Sequence, residues 1–505
     1  MNTSGYYKFS GSTSGYYEFS GSGNLEQELI IEVLGSFRAL GRGLNGIVSD
    51  CAWFDISGQK LGDLTFNYST ISLESTKQEI KLVGKISSIT HFNLSSNISK
   101  IIRMEGFTEL SYFLIENSPI STLENIQSPI QKLLTLNLTR NDLLNINALE
   151  NITKEIETLY LTNNNISDIS SISSLKSSSL THLNLSRNLI SDIEPLRNLP
   201  ETLKVFVISS NKIQDIEPLS NLPKSLEDIR IDYNLIEDIS SFIFSPSLHT
   251  FMANNNLISN ISVFAQPNFI EQLIISNNSI QDASFISTME FLSILNVSHN
   301  NISDFSFLES LNLESLNMSN NPVSEDELIN VSSYISNMSR MLRFVCQSNR
   351  LSNLNTFKSF FESIKSFNEI SFQGNLLNNV DALSFVSSSV FLNSLNLGYN
   401  KIEDISSLFD ILSDDTKLSV QTVVLTKNEI KNLDVNVKAL TKTKNLRLNF
   451  NNIDVISFNN FLERCYDETI IGVILSAQQA IEGSVTPDQN IINKLVKDYN
   501  WIIII

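Results

Sequence analysis

Cysteine is scarce in this chain: only Cys51, Cys346 and Cys465 occur in 505 residues. They are far apart and odd in number, and no CxxC or Cys/His spacing suggests a zinc site. So few cysteines fit a reducing compartment. Histidine is as scarce, and His91, His182, His249 and His299 stand at no metal-ligand spacing. No GxSxG, HExxH or Gly-rich phosphate loop carries nucleophile, metal or nucleotide chemistry. The expectation is therefore no catalytic residue, no metal ligand, no cofactor and no small-molecule substrate. No stretch reaches the roughly 18 consecutive apolar residues of a membrane span. The first residues, Met1-Asn2-Thr3-Ser4-Gly5, have neither a basic nor an apolar leader segment. These absences predict a cytoplasmic protein with no membrane span. Positive charge is also short: 35 Lys and Arg face 54 Asp and Glu, for a net charge of −19. That balance disfavours nucleic acid, whose phosphates need clustered cations, and disfavours anionic membrane.

What is present is repetition. Leu180, Leu183, Leu185 and Asn188 return as Leu203, Phe206, Ile208 and Asn211, and again as Leu226, Ile229, Ile231 and Asn234. Each copy has apolar residues spaced by three and two, an Asn three later, and apolar residues on the return. Repeats of this length build solenoids, in which each turn buries its apolar face against the next. The Asn position falls at 97, 118, 141, 164, 188, 211, 234, 256, 278, 300, 321, 349, 375, 400, 428, 451 and 478, with Ser118 and Gln478 as exceptions. The step is 21 to 24 residues up to Asn321, and then 28, 26, 25, 28, 23 and 27. Short steps leave room for a 3₁₀ or extended return, which Glu194-Pro195-Leu196 and Glu217-Pro218-Leu219 suit. Longer steps admit α-helices. Ser324 with Glu327 reads as a capping box, and 355–366 as a further helix.

The ends differ from the array. Residues 1–23 hold a tandem TSGYY(K/E)FSGS repeat without apolar periodicity, which predicts a disordered Gly/Ser/Tyr tail. Leu25, Leu29, Val33, Phe37 and Leu40 recur at three or four, which predicts a helix over 24–41. Gly41, Gly43 and Gly46 spell GxGxxG, read as a helix stop because no strand precedes it. Residues 24–88 are thus expected to form a helical cap with one degenerate repeat at Leu61, Leu64, Phe66 and Ser69, and 89–505 the array. At the other end, Thr486, Pro487 and Gln489 predict a helix start, with Trp501–Ile505 a closing strand beside Leu475.

The template LxxLxLxxN, as in LTHLNLSRN at 180–188, resembles leucine-rich repeats. NLISDIEPLRNLP (188–200) and NKIQDIEPLSNLP (211–223) resemble the 22-residue class, found in the cytosolic regulator of type 1 protein phosphatase and in bacterial internalins. The later, longer copies look closer to the ribonuclease-inhibitor class. The resemblance spans 89–505. It implies an α/β solenoid, a horseshoe with a parallel concave sheet, 3₁₀ or extended returns in the first half and helices in the second. It implies a non-enzymatic scaffold or regulator binding a protein partner, with an extracellular internalin-like adhesion protein as the alternative.

The template also says where a partner would sit. The polar places within and just after each strand face the concave side, and most are Asn, Ser or Thr. Against them stand Tyr160, Arg187, Arg230, Asp232, Tyr233, His299, Arg343, Tyr399 and Arg447. Arg and Tyr anchor protein interfaces, and Arg187, Arg230, Asp232 and Tyr233 fall within three adjacent turns. The phosphatase regulator's face is acidic and aromatic, whereas this one is neutral with scattered Arg, so no regulator residue is carried over. A row of carboxylates (Asp168, Asp192, Asp215, Asp238, Asp282, Asp304) follows each Asn by four. Each stands alone in its turn, so it reads as a local cap and not as a Ca²⁺ ladder.

Overall fold

A computed structural model describes residues 29–33, 37–43, 51–55, 59–64, 69–71, 78–83, 89–104, 107–123, 132–147, 149, 155–386, 390–478, 481–482 and 487–505. The tandem repeat of 1–23 lies outside them. The chain divides into two compact units, Met1–Thr250 and Phe251–Ile505.

The first unit opens with strands where a helix is expected over 24–41. Leu29–Val33 and Phe37–Gly43 are both β. Leu-Ile-Ile-Glu-Val is rich in β-branched residues, and Leu29, Ile31 and Val33 also recur at two, the strand period. Neighbours decide between the two periods. Ile31 lies opposite Ile80 and Ile101 and is fully buried. The resulting antiparallel sheet runs Lys60–Asp63, Ala52–Asp55, Gln78–Val83, Leu29–Val33, Ile98–Met104. Leu61 belongs to one of its strands and not to a degenerate repeat. Gly41 and Gly43 lie within Phe37–Gly43, opposite Phe92 and Ile89, and Gly46 lies outside the described residues. The first two glycines of the motif are therefore in a strand and not at a helix stop.

Ile89–Ser95 is where the repeat ladder begins. One edge pairs antiparallel with Phe37–Gly43, and the other pairs parallel with Tyr112–Glu116. Trp53 of the antiparallel sheet stacks on Phe92, and Phe92 on Phe113, so the two cores share one aromatic seam. The template is imperfect here: Asn97 is exposed, in a turn with Ser96, and both have positive φ. Parallel pairing then continues through Thr135–Asn137, Thr158–Tyr160, His182–Asn184, Val205–Val207 and Asp228–Arg230.

The second unit repeats the plan. Gln272–Ile274, Ile294–Asn296, Ser315–Asn317, Arg343–Val345, Ser366–Ser371, Val390–Asn396, Leu418–Val424, Asn445–Arg447 and Ile474–Ser476 pair in parallel, in that order. Ile502–Ile504 adds the expected closing strand, with Ile503 opposite Leu475. Each unit carries a solenoid ladder, and the α-helices of the described residues all lie in the second. In each ladder the central strand residue points inward and is fully buried, as at Leu183, Phe206, Leu295 and Leu395, while the residues on either side point outward.

Repeat length sorts the returns. Steps of 25 residues or fewer hold no α-helix among the described residues, and several close with 3₁₀ turns, such as Glu194–Leu196, Glu217–Leu219, Ser284–Thr288 and Asp381–Phe385. Steps of 26 to 28 residues hold α1 (Glu325–Ser336), α2 (Lys358–Ser363), α3 (Ser406–Ser413) and α4 (Val455–Asp467). The second unit is therefore mixed, not uniformly helical. In α1, Ser324 accepts the N–H of Glu327, but the Glu327 carboxylate accepts from Phe305 N–H at 2.7 Å in the preceding turn. Half of the expected capping box thus serves to dock the helix. The last helix, α5 (Gln489–Tyr499), is capped by Asp488, and Thr486 lies outside the described residues.

Candidate functional site

Two side-chain rows recur along the ladder. From Asn141 to Asn451 the template Asn is buried or half-buried, and its amide both donates and accepts. Asn164 donates to the carbonyls of Leu161 in its own turn and Leu138 in the turn before, while its oxygen accepts from Leu143 N–H. Asn300, Asn400 and Asn451 repeat the arrangement in the second unit. This is the sequence expectation: the amide satisfies backbone groups that leaving the strand would orphan. A second Asn row on the outward face closes the next turn. Asn184, Asn296 and Asn317 each accept both the N–H and the hydroxyl of a buried Ser two residues on. These Asn-x-Ser triplets are thus built into the repeat.

The residue before each template Asn is left-handed. From Arg140 to Phe450 this column has φ of 52–60°, except for Gly374 at 70°. Its N–H groups continue the ladder past the strand, as in Arg187 to Ser209 O (2.8 Å), Tyr399 to Thr426 O (2.7 Å) and Lys427 to Asn449 O (2.7 Å). The ladder therefore dictates the conformation, and the side chain is thrown outward at the margin of the strand face.

Four of the nine predicted residues belong to this column: Arg187, Tyr233, His299 and Tyr399, all exposed. Tyr160, Arg230, Arg343 and Arg447 are strand residues facing outward, and Asp232 lies just beyond its strand. In the first unit the structure brings together Asp228, Arg230 and Asp232 on one strand face. Arg230 grips Asp228 through Nε (3.0 and 3.1 Å) and Nη2 (2.7 Å). That carboxylate holds the guanidinium pKa above its ordinary value, with burial acting the other way and Asp232 adding to the rise. Asp232 also accepts from the Ser209 hydroxyl at 3.1 Å. Arg187 and Tyr233 stand beside this group in the left-handed column, with Ser210 between them.

In the second unit Arg343 is neutralised across the ladder by Glu369, at 2.7 Å. His299 Nε2 lies 3.1 Å from Asn320 Nδ2. The Lys427 ammonium lies 5.0 Å from the centre of the Tyr399 ring. Sequence reading missed Asp228 and Glu369, which set the charge of two of its arginines, and missed Arg140, Lys427 and Phe450. The signal was available: all three of the latter occupy the place before the template position.

The carboxylate row caps as expected. Asp168, Asp192, Asp215, Asp238, Asp282 and Asp304 each accept the backbone N–H two residues on, at 2.7–2.9 Å. These bonds hold the carboxyls of Asp168, Asp238 and Asp282 below the usual range. Among the described residues no three His, Cys, Asp or Glu cluster as metal ligands, and no helix is long and apolar enough to cross a membrane.

Two family models match parts of the chain: Leucine Rich repeats (2 copies) over residues 154–200, and Leucine Rich repeat over 288–304. No curated protein matches. Among solved structures, a leucine-rich repeat protein of Leptospira interrogans is 19% identical, with 74% of this chain and 88% of that one covered and a TM-score of 0.50. A TDR receptor is 18% identical over 76% of this chain and 72% of its own, with a TM-score of 0.50. An internalin of Listeria monocytogenes, InlF, is 24% identical over 72% of this chain and 89% of its own, with a TM-score of 0.46. At these identities the likeness is one of fold.

Proposed function

We propose that this leucine-rich repeat protein is a non-enzymatic scaffold that takes a protein partner on the outward face of its strand ladder. The observation that carries the reading is the left-handed column. It holds Arg, Tyr, His, Lys and Phe in solvent, on backbone that the ladder has already ordered. A surface ordered before binding loses little entropy on association. Tyr and Arg offer large contact area for that purpose. For this scaffold we propose a cytoplasmic location. In support, Cys51, Cys346 and Cys465 are all buried free thiols, which need no oxidising compartment.

The test is a pull-down from the source cell's cytosol read by mass spectrometry, comparing wild type with an Arg230→Glu, Tyr233→Ala double variant. The scaffold reading expects a stoichiometric protein whose recovery depends on outward-face residues. Recovery unchanged by every outward-face variant would overturn it. Recovery of the endogenous protein outside the cell with N-glycans would replace the cytoplasmic placement with the adhesion reading.

A further inference from the structure

We propose that Tyr399, Lys427 and Phe450, with Arg447 beside them, form a docking face for an acidic, extended segment of a partner protein. This deepens the scaffold reading and rests on it.

Charge points to an acidic occupant. The chain carries a net charge of −19, yet the strands Val390–Asn396, Leu418–Val424, Asn445–Arg447 and Ile474–Ser476 contain no Asp or Glu. The other two outward arginines that lie within strands are compensated, Arg230 by Asp228 and Arg343 by Glu369. Arg447 is exposed and has no ion pair among the described residues. Lys427 contacts the Tyr399 ring and, among the described residues, no carboxylate. In this acidic protein, two uncompensated cations in adjacent turns make a local positive field.

Backbone cost points to selection on the side chains. A left-handed conformation is cheap for Gly and Asn and unfavourable for a bulky residue. The column uses Asn at 163, 255, 277 and 320, and Gly at 374. Tyr399 and Phe450 keep φ of 56° and 57° and leave 47% and 48% of their surface in water. Neither burial nor backbone preference favours them. The three residues occupy consecutive turns, so the column spans roughly 10 Å at the usual strand spacing of about 4.8 Å. An extended peptide covers that distance in about three residues. It would lay a carboxylate on Lys427 and Arg447, with apolar groups on the rings to either side.

The experiment selects a random-peptide display library against the full chain. Enriched peptides are then measured by fluorescence polarisation on three variants. The proposal expects peptides carrying two or more Asp or Glu beside an apolar residue. It expects Lys427→Glu with Arg447→Glu to weaken them at least about ten-fold. Tyr399→Asn with Phe450→Asn should also weaken them while the melting temperature stays level or rises, an outcome that a merely structural role would reverse. Arg187→Glu with Tyr233→Ala should leave them unchanged. Failure to enrich any peptide, or enrichment of neutral or basic ones, overturns the proposal. So does binding indifferent to the charge reversal. Binding lost only in the Arg187, Tyr233 variant overturns this site while leaving the scaffold reading in place.

Discussion

The side-chain amide of Asn188 donates to the carbonyl of Leu161, one turn earlier, at 3.0 Å. It also donates to Leu185 O in its own turn (3.0 Å), and its oxygen accepts from Ile166 N–H (3.1 Å). One buried residue thus satisfies backbone groups of two successive turns. Asn188→Leu keeps the branched shape and orphans the Ile166 N–H, while Asn164 and Asn211 still donate to Leu161 O and Leu185 O. A buried unsatisfied group costs about 1–3 kcal/mol, so a loss of about 1–3 kcal/mol is expected. Urea denaturation of wild type and variant measures it. A change below about 0.5 kcal/mol, as on an open surface, would contradict the role.

The left-handed column makes an opposite prediction at Tyr233, where φ is 54° and 60% of the residue is exposed. Tyr233→Asn should be neutral or stabilising by up to about 1 kcal/mol, because Asn tolerates this conformation. Tyr233→Val should destabilise by about 1–2 kcal/mol, because a β-branched side chain clashes there. Melting curves of the pair give the order, and Val at or above Asn would refute the assignment.

The Asp caps give a pH dependence. The carboxyls of Asp168, Asp238 and Asp282 are held below their ordinary value by bonds from Ser170, Ser240 and Ser284. A depressed folded value means the stabilisation is fully present above the unfolded value of 3.8 and is lost as pH falls through the folded values. Asn260 makes the same bond to Ser262 without a charge. Changing the three Asp to Asn should therefore keep the caps and flatten the acid limb of stability below about pH 4. Equal slopes for the triple variant and wild type would show that the caps do not contribute.

Cys346 is fully buried, and desolvation pushes its thiol up to about 12, against the hydrogen bond from Asn349. Burial raises Cys465 in the same way. A thiolate reagent at about pH 8 should leave both unmodified in the folded protein and modify both in denaturant. Stoichiometric labelling of either in the native state would contradict this burial.

Much of the repeat was legible because its signal is redundant. The inward residues, the Asn row and the Asp row each recur at one spacing, so an exception such as Ser118 hides nothing. Residues 29–43 failed because Leu29, Val33, Phe37 and Leu40 satisfy a helical period while Leu29, Ile31 and Val33 satisfy a strand period. Partners from Gln78–Val83 and Ile98–Met104 decide between them, and they lie far along the chain. At the candidate face, large polar residues could be found by type. Their charge state could not, because Arg343 meets Glu369 across turns and Arg230 meets Asp228 along a strand already passed over as background. The left-handed column was missed as a column because no residue type marks it: Arg, Ser, Tyr, Asn, His, Lys and Phe all occupy it.

The most direct test of the account is the affinity of the recovered partner, measured by calorimetry against two sets of variants in the full chain. One set alters the outward face, at Arg187, Arg230, Tyr233, Tyr399 and Arg447. The other alters exposed return-side residues, such as Glu194, Glu217, Glu325 and Lys358. The account predicts that at least one outward-face variant weakens binding about ten-fold or more, while the return-side set stays within about two-fold. Loss confined to the return-side set, with the outward face silent, would contradict it.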